Sequence, residues 1–336
     1  MTHEKGGGME RTVLVTGGAG YIGSITVERL VAAGCRVVVL DDLSKGHRAA
    51  VLPGVPLVVG SVGDARLVEE VLRTHRVDSV IHFAARSLVG ESMERPGDYY
   101  ETNVVAGARL LDAMAAAGVR KIVFSSSAGV YGEPESVPIR ESHRTTPVNV
   151  YGDTKLAFER ILEWRSRTAG FSYISLRYFN AAGASERFGE DHHPETHLIP
   201  IALRVAQGTE PELIVFGDDY DTADGTCIRD YIDVRDLSAA HIAALAALDR
   251  GTSGVYNLGS GEGWSVLNIV AAVGEITGRK IMWKAGPRRE GDPARLIASS
   301  SRAERDLGWR PAHPELTDMI DSAWRWAERF PRGYPE

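Results

Sequence analysis

The sequence predicts an α/β protein, a doubly wound parallel sheet with a smaller α/β domain set against it. Three features point there. Short apolar runs alternate with helix-length segments through the first half of the chain. The first run ends in a glycine cluster. After residue 180 the alternation gives way to long loops rich in Gly, Pro and His with scattered helices.

The stretch Thr12-Val-Leu-Val-Thr-Gly-Gly-Ala-Gly-Tyr-Ile-Gly23 reads as strand, tight turn and helix start, with the helix over 22–33. Gly17 lets the chain turn, Gly20 presents no side chain to a pyrophosphate, and Gly23 lets helix and strand pack closely. The free N–H groups of the helix start then face an anion. A second strand over 36–40 delivers Asp41 about 20 residues past the glycines, where a carboxylate accepts from an adenine ribose 2′-hydroxyl. The same charge repels a 2′-phosphate, so the expected cofactor of this Rossmann unit is NAD rather than NADP.

In order, the next elements are a third strand over 55–59, a helix over 65–75 and a fourth strand over 79–83. A long helix over 96–117, a fifth strand over 121–125, a helix over 151–168 and a sixth strand over 173–177 follow. Ligands of such sheets sit at the carboxyl ends of the strands, where the fifth strand places Ser125-Ser-Ser127. Beyond Asn180, helices are expected over 198–207, 234–248, 266–277 and 314–328.

A chain of 336 residues is long enough for two fused units with sizeable cores. Its net charge of −7 argues against nucleic acid as the main partner, so an anionic ligand would need local arginines. Cys35 and Cys227, the two cysteines, are too few for a disulfide framework and imply a reducing, cytoplasmic setting. No apolar run is long enough to span a bilayer, and residues 1–10 lack a signal-peptide core, reading instead as a disordered leader.

Tyr151-Gly-Asp-Thr-Lys155 puts a phenol and an ammonium one helical turn apart on one face. A phenol near pKa 10 is a poor base at neutral pH, but an adjacent Lys⁺ and a nicotinamide cation favour its phenolate. Ser127 at the end of the fifth strand is placed to share a hydrogen bond with the same substrate hydroxyl. Downstream of a dinucleotide fingerprint, this spacing reads as a catalytic set of Ser127, Tyr151 and Lys155.

At this point the chain resembles the extended short-chain dehydrogenase/reductase superfamily and, within it, the UDP-glucose 4-epimerase family, from about residue 11 to 335. Beyond the glycines, the markers are His82-Phe-Ala-Ala85, Val89-Gly-Glu-Ser92, Phe124-Ser-Ser-Ser-Ala-Gly-Val-Tyr-Gly132 and Arg177-Tyr-Phe-Asn180. Gly225-Thr-Cys-Ile-Arg-Asp-Tyr231, Tyr256-Asn-Leu-Gly259 and Arg288-Arg-Glu-Gly-Asp292 are more specific still. The resemblance implies a reaction without net redox change, in which Tyr151 takes the proton of the sugar O4 while NAD⁺ takes hydride from C4. The 4-ketose then turns over and receives hydride on its other face.

Carried over residue by residue, the resemblance assigns NAD to Gly17, Gly20, Tyr21, Ile22, Gly23, Asp41 and Ser61 on the adenosine and pyrophosphate side. Phe83, Ala84, Ala85, Ser87 and Asn103 follow the fourth strand, and Ser125, Tyr151, Lys155 and Tyr178 border the nicotinamide. The UDP-sugar would meet Ser127, Asn180, His197, Leu198, Phe216, Arg229, Arg289, Asp292 and Leu296, with Asn180 and the two arginines on the pyrophosphate. The implied domains are an NAD-binding unit over 11–178 and a UDP-sugar-binding unit over 179–336. The implied partner is a second copy, joined through the 96–117 and 151–168 helices as a four-helix bundle.

The chain departs from the family pattern at several places. Ser61 stands where an aspartate often meets the adenine, with Asp64 as a possible substitute, and Ser87 replaces a lysine, with Arg86 beside it. Gly129 removes a hydroxyl near the sugar, His197 replaces an asparagine, and Leu296 occupies the position that gates the sugar pocket. Leu296 therefore leaves open whether the sugar is glucose/galactose or an N-acetylated, uronate or pentose form. A nucleotide-sugar 4,6-dehydratase needs an Asp-Glu pair where Ala128-Gly129 stand, and a non-catalytic dinucleotide sensor would have lost Tyr151 or Lys155. The segment Glu190-Asp-His-His-Pro-Glu-Thr-His197 is dense in metal-ligating types, but Pro194 prevents a continuous helix from presenting His193 and His197 together. It is expected to be a structural or substrate-facing loop, with no metal.

Overall fold

The computed structural model describes residues 11–289 and 292–335; the leader expected over 1–10 lies outside them. The chain begins β1 (Thr12–Thr16), α1 (Tyr21–Ala32), β2 (Arg36–Asp41), β3 (Leu57–Val59), α2 (Ala65–Thr74) and β4 (Ser79–His82). Then come α3 (Val89–Glu94), α4 (Pro96–Tyr100), α5 (Ala106–Ala116), β5 (Lys121–Ser127), α6 (Val150–Ala169) and β6 (Ser172–Tyr178). The later part holds β7 (Asn180–Ala182), α7 (Leu198–Gln207), β8 (Leu213–Phe216), β9 (Ile228–Arg229), β10 (Tyr231–Asp233) and α8 (Val234–Asp249). It closes with β11 (Gly254–Leu258), β12 (Trp264–Ser265), α9 (Val266–Thr277), β13 (Trp283–Gly286), β14 (Arg295–Leu296), α10 (Ser301–Leu307) and α11 (Leu316–Arg329).

The central sheet is parallel throughout, in the order β11-β6-β5-β4-β1-β2-β3. Its strands are apolar on both faces because helices cover both. Val13 and Val15 point to one side, with Val27 and Leu30 of α1 and Leu237, Ala240 and Ala244 of α8. Leu14 points to the other, with Val68 and Val71 of α2, Leu110 and Met114 of α5 and Phe158 of α6. The order reverses between β1 and β4, which opens a crevice at the carboxyl ends of those strands.

Two sequence expectations are corrected here. The sheet has a seventh strand, β11, drawn from beyond residue 178, and α8 and α10 also pack in the core of the first layer. The expected boundary at 178/179 thus divides the chain but not the sheet. Without β11, β6 would present an unpaired row of backbone groups at the sheet edge.

The helix expected over 96–117 is also interrupted: residues 101–105 form a π-turn between α4 and α5. That bulge buries Asn103, whose Nδ2 donates to the Arg86 carbonyl and to Thr154 Oγ1, both at 3.0 Å. Such bulges recur where a helix must aim a side chain at a site.

The second lobe has its own core, where α7, α9 and α11 close around Leu213, Val215 and Tyr231. Its strands are two to four residues long and form three small ladders, β10-β7, β12-β9-β14 and β13-β8. These ladders carry Asn180 (β7), Phe216 (β8), Arg229 (β9) and Leu296 (β14).

Candidate active site

The turn after β1 is built for close approach. Gly17 has φ +72°, and a Cβ on Gly23 would lie 2.1 Å from the Gly17 carbonyl oxygen, so neither position admits a side chain. A Cβ on Gly20 would meet nothing nearer than that same oxygen at 3.4 Å, so Gly20 borders open space. Gly20 is the N-cap of α1, with no side chain capping it, which leaves first-turn N–H groups to an anion. Tyr21 contributes backbone only, since its hydroxyl donates to the Gly183 carbonyl at 2.6 Å; Ile22 is half-buried in the core.

Asp41 at the end of β2 is buried and accepts from the amides of Ala19 and Leu43, each at 2.9 Å. Burial raises its pKa, and those two amide bonds oppose the rise. Its oxygens keep lone-pair capacity for a further donor. An uncapped helix start, a cradle that a Cβ would fill and a strand-end carboxylate together fit a dinucleotide.

The remaining expected cofactor residues are less uniform. Ala84 packs against Gly17 and donates to the Thr16 carbonyl at 3.2 Å, while the Phe83 ring lies 4.6 Å from that of His241. Ala85 is half-buried beside them, and Ser61 and Ser87 are exposed. Ser61 Oγ accepts from the Gly63 amide at 3.1 Å. Asp64 does not stand in for the missing aspartate: it caps α2, accepting from the amides of Arg66 and Leu67. Arg86 is held back as well, its guanidinium 3.4 Å from Glu91.

Tyr151 sits in the first turn of α6, which Asn149 caps by accepting from the Gly152 amide at 2.8 Å. Ser92 Oγ accepts from the Tyr151 amide at 3.2 Å, which ties that turn to α3. Lys155, one turn on, is buried with Nζ 5.6 Å from the centre of the Tyr151 ring. Its ammonium donates to the Ser125 carbonyl at 2.9 Å and lies over the Phe124 ring. A Cβ on Gly129 would lie 3.4 Å from Ser127 Oγ and 3.9 Å from the Tyr151 ring, so the two side chains border one space, and Tyr178 meets Ser125 Oγ nearby. The expected trio is therefore brought together from two elements, the end of β5 and the start of α6.

The electrostatics differ from the sequence expectation. Burial raises the Tyr151 pKa, and only the Ser127 hydrogen bond pulls it down. Burial also lowers Lys155 to about 7, against the opposing charge of Glu159. The expected lowering therefore does not come from the protein's own groups, and it falls to the nicotinamide charge to favour the phenolate.

In the second lobe, Arg229 on β9 is buried and registers beside Leu296 on β14. Its guanidinium donates to the Ile228 carbonyl at 2.7 Å and to the Asp292 carboxylate. Two residues expected as separate ligands are thus paired with each other. Arg289 is exposed and lies over the Phe216 ring, 4.1 Å from its centre. Asn180 is exposed at the start of β7, while Leu296 packs against the cluster of Ala128, Leu156 and Phe179, beside the serine end of β5.

Two buried polar sets escaped the sequence reading. Arg177 pairs with Glu159 beneath α6, at 2.9 Å from Nε to Oε1, and also donates to Tyr131 at 3.0 Å. Asp230 accepts from the Ser260, Gly261 and Ala298 amides, which fastens β14 in place; burial raises it to about 6 against those bonds. Charged residues inside apolar runs were the available signal, but their partners lie far away in sequence.

The loop 190–197, singled out in the sequence, is only partly buried. Pro194 does exclude a helix there, and His193 turns to Asp191 at 3.3 Å. The loop nonetheless folds His192 and His197 to a ring separation of 5.2 Å, with His197 Nδ1 at 2.9 Å from Glu190 and 2.8 Å from Glu195. Convergence did not need the helix on which the expectation rested. Leu198 follows as the first residue of α7.

Residues 13–259 match the model of the NAD dependent epimerase/dehydratase family. The UDP-glucose 4-epimerase of Halalkalibacterium halodurans is 51% identical over 325 residues, covering 96% of this chain and 97% of that protein. The solved UDP-glucose 4-epimerase of Brucella ovis in complex with NAD superposes with a TM-score of 0.91 at 43% identity, over 94% of this chain and 98% of its own. That of Bifidobacterium longum, in complex with NAD⁺ and UDP, gives 0.91 at 40% identity, over 96% and 100%. With this likeness running through both lobes and the crevice between them, the chain belongs to the NAD dependent epimerase/dehydratase family.

Proposed function

We propose that this chain is an isomerase, an NAD-dependent 4-epimerase that interconverts UDP-glucose and UDP-galactose through a 4-keto sugar. The observation that carries the reading is the convergence of Ser127, Tyr151 and Lys155 at the end of β5 and the start of α6, with Leu296 packed close by. Relatives named UDP-glucose 4-epimerase, matched over nearly their whole length, support it.

Gly17, Gly20 and Gly23, the start of α1 and Asp41 would hold NAD, with Phe83 to Ala85, Ser125 and Tyr178 along the crevice. When bound, NAD supplies a reversible hydride acceptor for C4 and a positive ring charge beside Tyr151. Tyr151, as phenolate, takes the proton of the sugar O4 and returns it in the second half-reaction. Ser127 donates to the same oxygen and holds it in place while its proton passes to Tyr151. Lys155, fixed by the Ser125 carbonyl, stabilises the phenolate as far as it is protonated.

The sugar must present both faces in turn, so its binding energy belongs on the nucleotide. Arg289, stacked on Phe216, offers a guanidinium and a ring face for the diphosphate and uracil. Arg229 reaches the diphosphate once Asp292 turns to the uridine ribose. Asn180, His197, Leu198 and Leu296 complete the UDP-sugar site. Ala128, buried in a short turn beside Gly129, leaves no acid–base pair for the dehydratase reaction.

Two copies are inferred to pair through α4, α5 and α6, where Tyr100, Val105 and Trp164 are exposed apolar residues. Cys35 and Cys227 are both free and buried, in keeping with a cytoplasmic protein. Among the described residues no helix is long and apolar enough to cross a membrane.

The test is incubation of the purified protein with UDP-glucose, UDP-N-acetylglucosamine and UDP-glucuronate in separate reactions without added NAD, the products being resolved by NMR. UDP-galactose from the first reaction alone supports the strict reading. Conversion of the others moves the substrate class, and no conversion even with added NAD refutes the reading.

A further inference from the structure

The loop before α7 gathers Glu190, His192 and Glu195, which the reaction does not use, around the side chain of His197. Glu190, His192, Glu195 and His197 each offer one ligating atom, and the four atoms lie within 4.8 Å of one another. His192 Nδ1 is 3.2 Å from Glu190 Oε1 and 3.9 Å from Glu195 Oε2, and His197 Nδ1 is 2.9 Å from Glu190 Oε1. Bonds of about 2.0–2.2 Å to a tetrahedral ion place ligands roughly 3.3–3.6 Å apart, within that spread.

Two of the atoms are also unsatisfied. The Glu195 side chain has no solvent exposure, yet its Oε2 finds no hydrogen-bond partner among the described residues. His192 Nδ1, buried and facing it, finds none either. A buried carboxylate oxygen and a buried imidazole nitrogen without partners are costly to leave so, and a shared cation satisfies both at once. The other Glu195 oxygen is fixed by the amides of Thr196 and His197, at 2.8 and 2.9 Å, which holds the carboxylate in orientation.

We propose that Glu190, His192, Glu195 and His197 form a zinc site that clamps the 190–197 loop at the start of α7. Two carboxylates and two neutral imidazoles carry −2, matching a divalent ion, and a mixed nitrogen and oxygen set of four suits Zn²⁺ better than Mg²⁺ or Ca²⁺. The inference is independent of the epimerase reading, since zinc binding is measured without sugar.

The experiment is to strip the purified protein with chelator, titrate Zn²⁺ by calorimetry in buffers of different ionisation enthalpy, and count bound zinc by mass spectrometry. The expected result is one Zn²⁺ per chain, bound more than about tenfold more weakly by His192→Ala and by Glu195→Gln. Absence of stoichiometric zinc, or equal affinity in both variants, overturns the proposal. Should a variant not fold, anomalous diffraction of the zinc-loaded wild type decides. A peak between His192 and Glu195 supports the site, and a peak elsewhere refutes it.

Discussion

Lys155 stands with its ammonium 5.6 Å from the centre of the Tyr151 ring while donating to the Ser125 carbonyl at 2.9 Å. The bond to Ser125 sets where the ammonium can be, and the helix sets where the phenol can be, so their separation is a property of the scaffold. Burial disfavours both charged forms, so in the protein alone the phenol is held protonated while Lys155 is drawn down to about 7.

Removing the phenolic oxygen should therefore stop proton transfer without disturbing the pocket. Tyr151→Phe is expected to lower turnover of UDP-galactose by roughly 10²–10⁴-fold while NAD still co-purifies. Near-normal turnover would remove Tyr151 from the role of base.

The two inner glycines should respond differently. A Cβ on Gly20 fits sterically, with its nearest neighbour at 3.4 Å, but occupies the space opposite the α1 start. Gly20→Ala is expected to fold normally and lose most of its bound NAD, read from the absorbance of released cofactor against circular dichroism. Gly23→Ala, whose Cβ would lie 2.1 Å from the Gly17 carbonyl oxygen, should lose stability as well. Full NAD content in Gly20→Ala would place the pyrophosphate elsewhere.

The ion pair of Glu159 and Arg177 is buried under the catalytic helix. Glu159→Gln leaves the guanidinium buried without a counter-charge, and such losses cost about 3–5 kcal/mol. Urea unfolding of the variant should show that order of destabilisation; a change under about 1 kcal/mol would mean that water reaches Arg177.

Acid should weaken the fold through buried neutral histidines. Burial pushes His241 down to about 4, and burial with the charge of Lys155 pushes His82 down to about 3. In the unfolded chain both titrate near 6.5. As pH falls below 6.5 towards those folded values the unfolded state binds more protons, so stability whole above 6.5 is lost by up to about 1.4 kcal/mol per pH unit per histidine. Unfolding free energies at about pH 7 and about pH 5 should differ less in His241→Leu than in wild type. An equal difference in both would discount His241.

Much of the first lobe was legible because its signals are local. The glycine turn, the strand carrying Asp41 and the Tyr151–Lys155 spacing each span a few residues, and the structure places all of them at the crevice. The π-turn at 101–105 was not legible, since it exists to bury Asn103 against Arg86 and Thr154 from other elements. The strands of the second lobe were missed because two or three residues carry no periodicity of their own.

The sequence by itself determined the chemistry available, namely a phosphate-facing turn, an acid at a strand end, and a phenol and an amine one turn apart. These follow from backbone sterics and helical period, which act over short stretches of chain. Only the tertiary structure decided which charges meet: Arg229 with Asp292, Arg177 with Glu159, and the two histidines with the two glutamates before α7. Those pairings join residues that the chain order separates or that no regular element aligns, and burial, which sets their strength, exists only once both lobes have closed.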